Sequence, residues 1–470
     1  MAARFKDNSL IGKRGIIQMQ VVKQEDCTNA YTNHLSQVNQ FQKVIASNDI
    51  YNAQGMLLIK KGNVLNKNAA HKIIQFKLQQ PLEDNVAIEN CIDGSQLFKR
   101  IMNDINGNED YLAIHQSLDI EDELKNICRI YNSYPVLVQK MTVLSIQLPK
   151  VFSGGLFAAY VGLALANILK MSSEKRIAIF IAGLLHDVGM LHIDPEIVKK
   201  EGQYTPEEWR AMQAHTIIGE KALSRIPKLP KIVTRSILEH HERTDGSGYP
   251  RGLVGADLSL EGQIVGMSDS LFAIYTNKLH KQGRSFKEVI SIIQMNNSVH
   301  FYQVFQAVVQ LMRQAKIPDK RTINNEDIPN LIDKLLQESK HLLEFYNIGK
   351  EVIKKLPREC EFKHLNMAMR IIDRIYITTD SSGLLCNEYQ EWLLGVKEKE
   401  SVSEYIEIER AELVHAEFHW QILQLSRAFH LAISEHNNMD SEFKETIKTW
   451  LVKFHRLEAL RKKEERLNHL

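Results

Sequence analysis

The 470-residue chain lacks a large charge of either sign: 59 Lys and Arg against 57 Asp and Glu leave +2 at neutral pH. That balance excludes the broad basic footprint of a protein that grips a nucleic-acid polymer, so any phosphate must be bound locally. Cysteine is scarce and scattered. The five (Cys27, Cys91, Cys128, Cys360, Cys386) form no C-x-x-C pair, which points to a reduced, cytoplasmic protein. Residues 1–15 have no apolar core run, so they do not read as a signal peptide. Internal repeats and low-complexity segments are absent as well.

What is present is ordinary soluble-protein composition, 44% hydrophobic and 25% charged. The length calls for two or three domains. One uncharged run, Val151 to Leu169 between Lys150 and Lys170, meets the length criterion for a membrane-spanning helix. Its Ala and Gly content, and its place just before a His-Asp pair, favour a buried core helix instead, and no membrane span is expected.

Residues 1–135 read as a mixed α/β accessory or sensory region. Within it, Ile50 to Gly62 reads as a β-hairpin turning at Ala53-Gln54-Gly55. Residues 136–318 are helical throughout, 319–330 form a polar linker, and 331–470 are helical and rich in Leu, Glu and Lys. That last region suits an oligomerisation or partner-binding bundle. The fold class is therefore mainly α. Thr205-Pro206-Glu207-Glu208 carries a capping box that opens a helix with Trp209, Met212, Ile217 and Leu223 on its apolar side and His215 in mid-run. Ser285-Phe286-Lys287-Glu288 repeats the signature.

The chemistry-bearing residues cluster in the central segment. His186-Asp187 follow an apolar run, Ile179 to Leu185, and a charged pair left there without partners costs several kcal/mol. His215, His240, His241 and Asp269 follow. Imidazole and carboxylate donors together suit Fe, Mn, Zn or Ni, and two such ions can activate a water and neutralise phosphodiester oxygens. Further on, His415 and His419 with Glu412 have helical spacing but no third ligand in sight. The apolar residues around them suggest a packing helix.

The run His240-His241-Glu242-Arg243-Thr244-Asp245-Gly246-Ser247-Gly248-Tyr249-Pro250, read with His186-Asp187 and Asp269, resembles the HD-GYP domains from about residue 140 to 318. The resemblance implies an all-helical HD-type domain and a metal-dependent phosphodiesterase hydrolysing cyclic di-GMP in bacterial signalling. It implies a divalent metal, Fe or Mn, as one or two ions. His186, Asp187 and Asp269 would hold the first metal and His215, His240 and His241 the second, with Asp187 bridging as the catalytic residue. Lys278 and Lys281 would hold the substrate phosphates. Gly246, Gly248, Tyr249 and Pro250 would form a loop linked to partner contacts with diguanylate cyclases or other signalling proteins, and a homo-oligomer is a further expectation.

Three departures accompany the match. Gly154 or Gly155 stands where the family carries an earlier metal-binding histidine, Met190 where it carries a lysine, and Phe272 where it carries a second aspartate. His192 is either a stand-in for the lysine or an exposed residue. Two readings stand side by side: a cyclic di-GMP phosphodiesterase, and a catalytically degenerate module that binds metal and the dinucleotide as a receptor or scaffold.

Overall fold

The computed structural model describes residues 24–202, 204–357, 360, 362–435 and 439–468. Residues 1–15, read above for a leader, and the last two of the charged tail lie outside them. The chain forms two compact units. One comprises the residues up to Asn90 with Met190–His215, the other Cys91–Gly189 with Thr216–Leu470. Helices dominate, and the named strands are two short antiparallel pairs in the first unit.

In that first unit the expected hairpin forms: Ile50–Tyr51 pairs with Leu57–Ile59. Asn52 Oδ1 accepts from the backbone N–H of Gln54 at 3.0 Å and of Met56 at 2.8 Å. Gly55 supplies the left-handed residue that the tight turn requires, at φ 81°. Val44–Ala46 pairs with Val86–Ile88. Buried Tyr31, Leu35 and Val38 of the Gln24–Val38 helix, with Ala70 and Ile73 of the Lys67–Ile74 helix, provide the core.

The capping box at Thr205 forms with both arms: Thr205 Oγ1 accepts from Glu208 N–H at 3.2 Å, and Glu208 Oε2 accepts from Thr205 N–H at 2.7 Å. The helix it opens is shorter than its apolar spacing predicts. It ends at Gln213, and a new helix, His215–Leu223, starts at His215. Trp209 is 43% exposed rather than part of an apolar face. His215 thus heads a helix instead of sitting inside one. His192 is neither exposed nor a spare donor, because it is buried with its ring stacked on Tyr31 at 5.2 Å.

The second unit is built around Pro149–Ile168, Ser173–Leu185 and Leu260–Ile274. The first of these is apolar and long enough to cross a membrane, but 78% of its apolar window is buried inside this unit. It packs on Ser173–Leu185 at backbone contact. A Cβ on Gly155 would lie 2.6 Å from Leu184 O, and one on Gly183 2.6 Å from Ala158 O. Two glycines therefore let the helices approach closer than any side chain permits. At Ser285 the cap differs from the expected box: Ser285 Oγ accepts from Lys287 N–H, while Glu288 pairs with Arg410 at 3.3 Å.

The C-terminal helices Ile328–Lys355, Lys363–Ser382, Asn387–Lys399, Tyr405–Glu435 and Ser441–Asn468 belong to this same unit. Phe345, Leu365, Ile372, Phe418, Phe429 and Trp450 form the middle of their apolar core. The polar segment preceding them is anchored by a buried carboxylate. Glu409 accepts from Thr322 N–H at 2.9 Å and Oγ1 at 3.0 Å, and from Arg321 Nε at 3.2 Å.

Candidate metal centre

Two helix ends deliver the core of the site. His186 is the C-cap of Ser173–Leu185 and His240 the C-cap of Lys231–Glu239, so both imidazoles sit where the partial negative charge of a helix terminus favours a cation. His215 heads a helix that otherwise belongs to the second unit, with Gly219 against Val188 and Ile237. Asp269 lies on Leu260–Ile274, one turn beyond Gly266, which passes so close to the His240 carbonyl that a Cβ there would collide with it.

Three of the histidines share one device. His186 Nδ1 faces Gly183 O at 2.7 Å, His215 Nδ1 faces Met212 O at 2.6 Å, and His240 Nδ1 faces Ile237 O at 2.7 Å. A carbonyl only accepts, so each Nδ1 carries a proton and each Nε2 is turned outward. Asp187, His215, His240 and His241 each offer a donor atom, and these lie within 4.8 Å of one another. His186 Nε2 is 3.3 Å from Asp187 and 3.6 Å from Asp269, and His241 Nδ1 is 4.0 Å from Asp269. Burial by itself pushes the His186 imidazole down, but the Asp187 and Asp269 carboxylates outweigh it and hold it well above its ordinary value. The pocket draws positive charge to this point. Three imidazoles and one carboxylate are a fitting donor set for a divalent transition metal.

The loop after His241 folds back onto this cluster. Tyr249 N–H donates to His241 O at 3.1 Å, and its ring stacks on the His241 imidazole at 4.6 Å. Glu242, fully buried, accepts from Arg251 N–H at 2.7 Å and Leu253 N–H at 3.0 Å, fixing the chain beyond Pro250. Arg243 donates to the carbonyls of His240 and Glu242, both at 3.0 Å. Gly246 adopts φ 73°, and a Cβ on Gly248 would collide with the Arg243 amide and the His241 carbonyl.

Residues 128–302 match the family model described as an HD domain. The segment is similar to HD domains. Over 129 residues the chain is 35% identical to a probable cyclic di-GMP phosphodiesterase of Vibrio cholerae, a stretch that is 26% of this chain and 29% of that protein. It is 34% identical over 152 residues to a cyclic di-GMP phosphodiesterase of Thermotoga maritima, covering 32% and 41% of the two chains. It is also 33% identical over 152 residues to a 3'3'-cGAMP-specific phosphodiesterase of Vibrio cholerae, covering 32% and 35%. The chain thus spans less than half the length of these curated relatives.

Within this segment the departures from the HD-GYP pattern prove to be coupled. Gly155 is closed to any side chain by the Leu184 carbonyl, and Gly154 faces the Phe272 ring, whose nearest carbon would be 3.2 Å from an added Cβ. The phenyl standing in for an aspartate therefore fills the space that a side chain at position 154 would enter. It belongs to an aromatic cluster, 5.3 Å from Phe157, with Tyr111, Tyr275 and Phe286 beyond. Met190, in the turn Val188–His192, has a thioether and no proton to donate.

The two expected phosphate-holding lysines differ in situation. Lys281 is exposed. Lys278 Nζ is bonded at 2.8 Å to Glu417 and lies 5.4 Å over the Trp420 ring, both on the Tyr405–Glu435 helix. Asp245 likewise accepts from Arg374 at 3.1 Å, and Arg370 lies against Gly246. Sequence reading missed Glu417, Arg370 and Arg374 because nothing local marks them. Among the described residues the His415 and His419 pair forms no metal-ligand group with Glu412: Glu412 is spent on Arg284 and Lys334, His415 meets Tyr389, and His419 meets Glu458.

Proposed function

We propose that the protein is a metal-dependent phosphodiesterase whose substrate is cyclic di-GMP. The observation that carries this reading is the convergence of Asp187, His215, His240 and His241, with the His215 and His240 imidazoles already turned Nε2-outward by backbone carbonyls. The relatives named as cyclic dinucleotide phosphodiesterases support the substrate class. The donor set favours Fe(II) or Mn(II), held as one ion by these four residues, with His186 and Asp269 beside them. A divalent ion there supplies Lewis acidity toward a phosphodiester oxygen and lowers the pKa of a water.

The protein's own groups do the rest. Asp187 and Asp269 supply the negative charge that holds a cation. The Tyr249 ring, stacked on His241, fixes that imidazole and covers it from water. Burial, reinforced by the Asp187 and Asp269 charges, pushes the Tyr249 phenol well up, so it stays neutral. Lys278 and Lys281 provide point charges for the two phosphates of the ring. Hydrolysis breaks one P–O bond, with water oxygen joining phosphorus and a proton going to the departing sugar oxygen.

The test is turnover of cyclic di-GMP by protein purified without air and supplied with Fe(II) or Mn(II), beside Asp187→Ala. Metal-dependent hydrolysis that vanishes in the variant is expected. A folded, metal-loaded protein that leaves cyclic di-GMP intact refutes the reading and makes the domain a receptor.

A further inference from the structure

The region after residue 330 reaches the candidate substrate side of the domain from two directions. From the Tyr405–Glu435 helix, Glu417 enters as a carboxylate only 3% exposed. One oxygen takes Lys278 Nζ at 2.8 Å and the other takes Asn296 Nδ2 at 2.8 Å. Gln421, one turn on, donates to Asn296 Oδ1 at 3.1 Å and so fixes the same side chain from behind. From the Lys363–Ser382 helix, Arg374 holds Asp245 at 3.1 Å and Arg370 packs against Gly246. A second anchor lies nearby, where Arg284 pairs with Glu412 at 2.8 Å and donates to Glu409 O at 3.2 Å.

Lys278 keeps 36% of its side chain exposed, so its amine can be reached from solvent, yet its charge is already matched by an internal anion. A carboxylate on an ammonium, backed by an amide, offers much the same pairing as a phosphate oxygen on that ammonium. The two anions compete for one cation. An uncompensated Glu417 carboxylate left behind is costly at this depth, so displacement requires the helix to shift or the carboxylate to find another donor.

We propose that Glu417 is a built-in competitor for the phosphate position at Lys278, and that the C-terminal helices thereby set the affinity of the site for cyclic dinucleotides. This rests on the reading of Lys278 as a phosphate-holding residue given under Proposed function. The isosteric change Glu417→Gln keeps the shape and a hydrogen bond while removing the competing charge. With the full-length, Mn(II)-supplied protein, Glu417→Gln lowers KM for cyclic di-GMP about tenfold, equivalent to ~1.4 kcal/mol, and leaves kcat nearly unchanged. In a Lys278→Met background the same substitution changes KM little, because the shared cation is gone. A fall in kcat with KM unmoved, or an equal KM effect without Lys278, overturns the proposal.

A second measurement needs no turnover. Trace acetylation of lysines read by mass spectrometry compares Lys278 with exposed Lys281 in the same sample. Lys278 is acetylated more slowly than Lys281 in the native protein and approaches it in Glu417→Gln. Inorganic pyrophosphate protects Lys278 in the variant more strongly than in the native chain. If the native protein shows no hydrolysis but these labelling results hold, the enzymatic reading fails and the competition stands. If Lys278 labels alike in both proteins and pyrophosphate protects both equally, the competition fails whatever the turnover.

Discussion

Replacing Gly183 with alanine separates two effects of opposite sign. In a helix interior this change ordinarily stabilises by about 0.5–1 kcal/mol, because glycine loses more backbone freedom on folding. At Gly183 the added Cβ would stand 2.6 Å from Ala158 O, 2.8 Å from its carbonyl carbon and 2.9 Å from Ala159 N. Ordinary carbon contacts sit near ~3.5–4.0 Å, so the two central helices must part by about 1 Å. Such overpacking costs roughly 1–3 kcal/mol, which leaves a net loss of up to about 2.5 kcal/mol. Because Gly183 O also orients His186, metal affinity should fall with stability. Gly395, in the Asn387–Lys399 helix, has nothing within 4 Å of an added Cβ, and Gly395→Ala serves as the control. Urea denaturation of both variants without metal, followed by a metal titration, decides the matter. Gly395→Ala should gain stability while Gly183→Ala loses it. A Gly183→Ala protein stabilised as much as the control refutes backbone contact between the two helices.

Two further outcomes are expected. Purified protein should carry close to one divalent ion per chain by elemental analysis. The paired substitution Gly154→His with Phe272→Asp, which opens the space the phenyl fills, should raise that count, and an unchanged count would show that the ring is not what limits occupancy. His415 is held down to about 4, by burial first and by Lys334 second. Its folded value lies below its unfolded one, so the stability it contributes is complete above about pH 6.5. That contribution is lost as pH falls toward 4, ~3 kcal/mol in all. Urea midpoints at pH 7 and 4.5 should therefore differ less in His415→Gln, and an identical difference would mean that His415 does not titrate across this range.

How much was legible in the chain depended on how local each signal was. The Ala53-Gln54-Gly55 turn and the Thr205 capping box span a few residues, and both form as read. The apolar run before His186 announced a buried helix because its composition needs no partner to be interpreted. The candidate metal residues could be named from their types and order. The turning of His186, His215 and His240 could not, since it comes from carbonyls whose side chains are Gly, Met and Ile. Helix breaks escaped notice too: the Ala214 break makes His215 a helix start, which the apolar spacing of Trp209 to Leu223 conceals. Long-range pairs left no trace at all. Glu417 with Lys278, Arg374 with Asp245, and the Phe272 ring over Gly154 each join positions far apart in the chain. The two sequence departures at 154 and 272 looked independent until their atoms were seen to share one volume.

The bonds from Nδ1 to the carbonyl three residues earlier make imidazole orientation a property of the helix and its ends, not of neighbouring side chains. Any residue at position 183, 212 or 237 carries the needed oxygen, so substitution there leaves the aim of the imidazoles intact unless the packing changes. The rings are also held before any ion arrives. Fixing a mobile side chain on binding costs roughly 0.5–1.5 kcal/mol, and at His215 and His240 that cost is met by the fold itself.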